Sequence, residues 1–149
     1  AVNLGYMYDR GYGVNEDHVT AAGWYRKAAE VGDAMGENNL GDMYYRGEGV
    51  PQDDAAAFEL FQKAAAQGHT GARIKLGYMY AQGRGTPVDL PAAYTWITAA
   101  SMAGDQRGRD LGAWLGSRLT SAQKSEAKAR AKQLKQDVSG QASEMALLP

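Results

Sequence analysis

Apolar residues recur along this chain at the spacing of an α-helix. After Asp53, the residues Ala57, Leu60, Phe61 and Ala64 follow one another at positions i, i+3, i+4 and i+7. This spacing places them on one face of a helix. Small alanines alternate with large side chains on that face, so the pattern predicts a helix that packs closely against its neighbours.

The helical pattern repeats at a constant step of 36 residues. The sequence Leu-Gly-x-x-Tyr-x-x-Gly-x-Gly begins at Leu4, Leu40 and Leu76, and the three copies align without a gap. Each copy continues through an aspartate and an alanine-rich run to another glycine. A fixed period of 20 to 50 residues is typical of stacked supersecondary units rather than of one closed globule.

Each copy is predicted to contain two helices. In the second copy, residues 33–46 fit a first helix that ends at Gly47 and Gly49, which can adopt positive φ. Gly41 costs this helix about 1 kcal/mol of propensity, so we expect a neighbouring helix to approach closely there. The second helices should begin at aspartates that accept hydrogen bonds from free backbone N–H groups: Asp17, Asp53 and Asp89.

This set of positions resembles the Sel1-like repeat family, which is related to the tetratricopeptide repeat. The resemblance covers about residues 1–117 and rests on the alanine, leucine-glycine, tyrosine, Gly-x-Gly, aspartate and Lys-Ala-Ala positions. It implies an all-α fold, namely an α/α solenoid in which antiparallel helix hairpins form a right-handed superhelix. Three repeats are expected, at about 1–32, 33–68 and 69–104.

The repeat pattern weakens after residue 104, where we predict C-terminal capping helices over residues 105–137. One helix is expected over 105–117 and another from the capping box of Thr120 and Gln123 to about Asp137. A thin apolar stripe on the last helix suits the closed end of a solenoid. Residues 1–137 would form one domain, and residues 138–149 a tail.

Composition narrows the function without identifying it. The 149 residues carry a formal net charge of −1 and no cysteine, which excludes disulfides and thiolate metal sites. No apolar stretch reaches the roughly 18 residues that span a bilayer, so membrane insertion is not expected. The chain opens in the middle of an expected helix, and we interpret it as a fragment that lacks any targeting signal; a periplasmic, secreted or cytoplasmic location stays open.

The residues that could carry chemistry have simpler explanations. The Gly-x-Gly loops follow helices, unlike phosphate-binding loops, which follow strands. Ser121 and Lys124 match the Ser-x-x-Lys of penicillin-recognising enzymes, but the accompanying Ser-Asp-Asn and Lys-Thr-Gly elements do not occur. His18 and His69 have no second histidine at metal-ligand spacing. We therefore expect no catalytic residue, no metal and no cofactor.

The last helix carries a row of lysines without interleaved aromatic residues, which is more typical of a solvated surface than of a nucleic-acid site. We therefore expect no nucleic-acid partner. The row consists of Lys124, Lys128, Lys132 and Lys135.

The family resemblance implies a protein or peptide partner, bound in the concave groove that the first helices line. Groove positions are those that the packing pattern leaves free, at fixed offsets from the leucine-glycine pair. The predicted residues are Val2, Tyr6, Asp9, Arg10, Asn38, Asp42, Tyr45, Arg46, Ile74 and Tyr78. Some of these tyrosines could instead pack between repeats.

The leading hypothesis is thus a non-enzymatic interaction scaffold or adaptor. Two alternatives remain. One is a cell-wall-directed hydrolase or penicillin-recognising activity that uses Ser121 and Lys124. The other is self-association, with the C-terminal tail 139–149 lying in the groove of a second copy.

Overall fold

The structure is a stack of helix hairpins. The computed structural model describes the backbone of residues 1–146 and the side chains of residues 1–138. This part of the chain forms eight α-helices and no strand: α1 (Val2–Arg10), α2 (His18–Glu30), α3 (Ala34–Arg46), α4 (Asp54–Ala66), α5 (Thr70–Gln82), α6 (Leu90–Met102), α7 (Arg109–Gly116) and α8 (Ser121–Ala146). The pairs α1–α2, α3–α4 and α5–α6 are the three hairpins, and α2 and α4 each pack on the helix that follows. The predicted all-α solenoid is confirmed.

The second helix of each hairpin begins where an aspartate satisfies free backbone N–H groups. Asp17, Asp53 and Asp89 each have extended backbone, and each side chain accepts a hydrogen bond from the N–H three residues later, at 3.0, 3.1 and 2.9 Å. Pro91 lies in the first turn of α6, where its missing N–H costs nothing. The predicted capping positions are confirmed.

Within each hairpin, a glycine lets the two helices approach to side-chain contact. A Cβ atom placed on Gly41 of α3 would lie 2.7 Å from the ring of Phe61 on α4. Gly5 lies in the same way against Tyr25, and Gly77 against Ile97. The close approach predicted at Gly41 is confirmed, and its packing compensates for the low helix propensity of glycine.

In the second and third repeats, the two glycines of the Gly-x-Gly sequence have different structural roles. Gly47 ends α3 in the left-handed conformation, with φ of 70°, and donates its N–H to the carbonyl of Met43. Gly49, with φ of 71°, lies directly on the backbone of His18 at the start of α2 in the preceding repeat. Gly85 lies in the same way on the carbonyl of Asp54. The sequence predicted only helix-ending turns, but the second glycine also holds adjacent repeats together.

The core of the described residues consists of three clusters, two of which join neighbouring hairpins. The middle cluster contains Phe61, Leu76 and Met79, all of which are almost fully buried. Another cluster surrounds Tyr25 and Leu40 between the first two hairpins. A third joins α5, α6 and α7. Alanines fill the remaining buried positions, which allows short distances between helices.

The two C-terminal helices differ from their predicted bounds. The helix predicted over 105–117 begins only at Arg109, because Asp105 accepts hydrogen bonds from the backbone N–H and the guanidinium of Arg107 and so holds a turn there. The last helix does not end at Asp137 but continues to Ala146. Residues 138–146 contain no proline and a single glycine, so the sequence provides no strong stop.

Helix α8 lies along α6 rather than pairing with α7. Its capping box is confirmed, since Thr120 and Gln123 exchange hydrogen bonds of 2.9 and 3.1 Å. Ala127 and Ala131 of the predicted stripe are buried. The side chains of residues 139–149, to which the self-association hypothesis refers, lie outside the described residues.

The inter-repeat contact at Gly49 leads to a testable prediction. Gly49→Ala should lower the free energy of unfolding by roughly 2–5 kcal/mol, because a left-handed conformation costs an L-residue about 1–2 kcal/mol and an overpacked contact about 1–3 kcal/mol. Thermal or urea denaturation followed by circular dichroism measures this loss.

Gly13 is the matched control, because it has the same conformation, with φ of 74°, but an added Cβ would meet only the end of the Met7 side chain at 3.9 Å. Gly13→Ala should cost only the conformational part, about 1–2 kcal/mol. Equal losses in the two variants would show that Gly49 has no special role between repeats.

Candidate functional site

The first helices of the three hairpins line two adjacent pockets on one surface of the stack. The first, called here the α1–α3 pocket, has a volume of about 110 Å³ and is lined mainly by residues of α1 and α3. The second, the α3–α5 pocket, has a volume of about 190 Å³ and lies between α3 and α5. Asp42 and Arg46 line both pockets. The two pockets therefore adjoin at a shared wall, and together they are called the groove here.

The α1–α3 pocket has an aromatic rim at its N-terminal side. Tyr6 is 46% exposed, and its ring centroid lies 5.7 Å from that of Tyr12. The guanidinium of Arg10 lies 5.9 Å from the Tyr6 ring centroid. Asp9 is turned toward His18, whose Nδ1 lies 3.1 Å from its carboxylate. The exposed groups here are thus an aromatic ring and a guanidinium.

The α3–α5 pocket has a lysine at its centre. Lys75 Nζ donates hydrogen bonds to Asp42 Oδ2 at 2.5 Å and to Asn38 Oδ1 at 3.0 Å. It also lies 5.1 Å from the ring centroid of Phe61, which lines the pocket. Tyr78, which is 38% exposed, completes this part of the wall. The pocket therefore combines aromatic surface with a lysine whose charge Asp42 partly neutralises.

Burial lowers the pKa of Lys75 below its usual value. The carboxylate of Asp42 opposes this effect, whereas the nearby positive charges of Arg46 and Arg107 add to it. The lysine is thus held in a position where its charged form is less favourable than in water. A second anion in the pocket would stabilise the charged form.

Tyr45 is a fixed part of the groove wall. The guanidinium of Arg84 lies 3.8 Å from the centroid of its ring. Two hydrogen bonds to Asp54, of 2.7 and 3.2 Å, hold that guanidinium in place. Because Asp54 belongs to the preceding hairpin, one inter-repeat ion pair orients the Tyr45 ring before any ligand arrives.

Most of the predicted groove residues come together on this surface. Seven of them line one or both pockets: Tyr6, Asp9, Arg10, Asp42, Tyr45, Arg46 and Tyr78. Asn38 is only 6% exposed and takes part through its hydrogen bond to Lys75.

Val2 and Ile74 do not belong to the groove. Ile74 is 8% exposed and lies in the core cluster with Ile97, and Val2 packs against the cluster around Leu40. For Ile74 the error is one of helical register, since this position faces α6 of its own hairpin and α7. We correct Ile74 on the grounds of burial, and Val2 because it is partly buried and lines neither pocket.

The groove instead uses the position directly before the leucine. Asn39 and Lys75 hold this position in the second and third repeats and line the two pockets. It lies three and seven residues before the groove positions of Asp42 and Arg46, which is the spacing of one helix face. Helical spacing measured from Asp42 could have found it in the sequence. Phe61 and Tyr25 were missed because they reach the pockets from second helices.

The candidate catalytic serine, Ser121, lines neither of the two pockets. Ser121 is exposed at the start of α8, and among the described residues it has no hydrogen bond to Lys124. His69 caps the start of α5, where its Nδ1 accepts a hydrogen bond from the backbone N–H of Ala72. The part of the chain that the structure describes holds no cluster of three or more histidine or acidic residues suited to a metal ion.

Comparison with protein families assigns the repeats. The Sel1 repeat model matches residues 1–33, 34–69 and 71–105, which together cover most of the chain. The chain belongs to the Sel1 repeat family. Sel1 repeats generally mediate protein interactions, and proteins of this family are typically interaction scaffolds rather than enzymes. No curated protein matches the chain in a sequence comparison.

Two solved structures show the same Sel1 repeat architecture. A Sel1 repeat protein from Oxalobacter formigenes is 39% identical over 70% of this chain and 43% of its own, with a TM-score of 0.68. The protein c5321, a protective antigen of uropathogenic Escherichia coli with an SLR fold, is 25% identical over 99% of this chain and 40% of its own, with a TM-score of 0.77. The present chain therefore spans less than half the length of either protein.

The described helices do not include a membrane span. None within residues 1–146 has both the length and the apolar character that crossing a bilayer requires.

The environment of Lys75 leads to a second prediction. The pKa of its ammonium group should be lower in the folded chain than in a short peptide containing Lys75, because burial disfavours the charged form. Asp42→Asn should lower it further, because the variant removes the carboxylate that stabilises the charge. NMR titration of the lysine Cε and Nζ resonances measures both changes. A pKa that is unchanged by folding, or raised by Asp42→Asn, would contradict the arrangement of this pocket.

Proposed function

We propose that this Sel1 repeat chain is a non-enzymatic interaction module that holds a segment of a partner protein along α1, α3 and α5. The observation that carries the proposal is the pair of adjoining pockets with Asp42 and Arg46 as their common wall. An extended segment lying across the first helices would place successive side chains in the two pockets.

The exposed residues of the groove are of the kind that contributes most to protein interfaces. Tyrosine and arginine are enriched at binding hot spots, and Tyr6, Tyr78, Arg10 and Arg46 are all substantially exposed here. None of the four belongs to a core cluster, so these side chains are not needed for the packing of the core.

The groove is also largely pre-formed. Lys75 bonds two side chains of α3, and Arg84 orients Tyr45. Binding to such a fixed surface costs less conformational entropy than binding to a surface whose side chains become ordered only in the complex. The residues facing the groove differ between repeats, as with Tyr6, Asp42 and Tyr78 at equivalent positions, which favours a specific rather than a periodic ligand.

A peptide library displayed on phage tests the proposal without knowledge of the natural partner. Peptides enriched on the wild-type chain should bind at least about tenfold more weakly to the groove variant Tyr6→Ala/Arg46→Ala/Tyr78→Ala, since the three truncations remove hot-spot side chains worth about 1 kcal/mol or more each. Fluorescence anisotropy with labelled peptides measures the affinities. Asp42 is left intact because its removal would leave Lys75 without its carboxylate partner.

The matched control carries three truncations at exposed positions outside the groove, Val19→Ala/Val31→Ala/Val88→Ala. It should bind the selected peptides as the wild type does, and circular dichroism should show both variants folded. A library from which the wild type enriches nothing would refute the proposal, and so would peptides that bind the groove variant with undiminished affinity.

A further inference from the structure

The groove contains hydrogen-bond donors that no side chain of the described residues uses. Arg46 is 56% exposed, and its closest approach to a carboxylate is 3.9 Å, from Nη1 to Oε2 of Glu48, which is too long for a hydrogen bond. Arg46 donates no hydrogen bond to any of the described side chains. Its guanidinium therefore offers a set of N–H donors at the wall that both pockets share.

Among the described residues, the one carboxylate that lines the same pocket already has a cationic partner. Asp42 is 27% exposed and accepts the short hydrogen bond from Lys75. Lys75 has three N–H donors and uses two of them, on Asp42 and Asn38. One donor of Lys75 and the guanidinium of Arg46 thus remain for a ligand.

The local charge balance points the same way. Arg46 and Arg107 both lie near enough to lower the pKa of Lys75, while Arg107 has its own partner in Asp105, with contacts of 2.6 to 3.2 Å. In the part of the chain that the structure describes, two cations, Lys75 and Arg46, therefore line the pocket with a single carboxylate, Asp42, which pairs with Lys75. An added carboxylate would restore the balance.

The aromatic wall would strengthen this interaction. Phe61, Tyr45 and Tyr78 line the same pocket, and they exclude water from part of its surface. Charge-assisted hydrogen bonds are stronger where the surroundings are less polar than water. A volume of about 190 Å³ accommodates one side chain rather than a folded partner.

We propose that the α3–α5 pocket binds an acidic side chain, aspartate or glutamate, of the partner segment, with its carboxylate between Arg46 and Lys75. The inference rests on the proposed function and adds the chemistry that the segment must carry. In the bound state, the carboxylate accepts hydrogen bonds from the guanidinium and from the free donor of Lys75. The aliphatic part of the acidic side chain packs on the aromatic wall.

Phage selection with a random peptide library is the first experiment. The library is selected on the wild-type chain and counter-selected on the groove variant, and the enriched sequences are aligned. We expect one position to be occupied by aspartate or glutamate. Peptides that depend on the groove but show no acidic position would overturn this inference and leave the proposed function standing, whereas a lack of groove-dependent peptides would overturn both.

Single substitutions then locate the carboxylate. Exchanging the acidic residue of a selected peptide for its amide should weaken binding at least about tenfold, which is the effect of losing a charge-assisted hydrogen bond. Arg46→Gln should weaken binding of the acidic peptide by a similar factor and leave binding of the amide peptide within about twofold. An equal loss for both peptides would show that Arg46 does not contact the carboxylate.

Arg10→Gln is the matched control. Arg10 occupies the equivalent position one repeat earlier and is also 56% exposed, but it lines only the α1–α3 pocket. Because Arg10 belongs to the groove, this variant is judged by a ratio: the affinity ratio of the acidic peptide to its amide should stay within about twofold of the wild-type ratio. A reversed pair gives a gain of function: Arg46→Glu should bind a peptide with lysine at the acidic position better than it binds the acidic peptide. If Arg46→Glu still prefers the acidic peptide, the pocket assignment is wrong.

Discussion

The contact between a glycine of each first helix and a large side chain of its partner helix sets the helix spacing within every hairpin from which the stack is built. In the middle hairpin, the ring of Phe61 occupies the space that a Cβ on Gly41 would need. This contact sets the distance between the helices, and the buried alanines of α4 keep it short. Because Phe61 also lines the α3–α5 pocket, the same ring connects the packing of the hairpin to the floor of the candidate site.

A second glycine contact determines how one hairpin follows the next. Gly49 and Gly85 bring the end of each first helix onto the start of the preceding second helix. The same junction carries the ion pair of Arg84 and Asp54, which orients Tyr45 in the groove. The spacing of the two pockets and the shape of their walls are thus consequences of repeat stacking, and weakening a junction should disturb binding as well as stability.

The local determinants of the fold could be read from the sequence, whereas contacts between helices could not. Asp53 could be assigned because it caps the N–H three residues later, and Gly41 because a glycine inside a helix signals a close neighbour, although it does not identify Phe61 as the side chain that fills the space. Ile74 was assigned to the groove although it is buried, because a shift of one residue rotates a helix position by about 100° and only the neighbouring hairpin shows which side is covered. Lys75 was missed for the same reason. The end of α8 was misplaced because no proline marks it.

The central claim is that the groove lined by α1, α3 and α5 is where this Sel1 repeat chain meets its partner. Backbone amide NMR spectra of the chain, recorded while a selected peptide is added, test it most directly. The account predicts that the largest shift changes occur around Asp42–Arg46 of α3 and Lys75–Tyr78 of α5. Changes confined to α2, α4 and α6, or to α8, would place the partner on another surface and contradict the account.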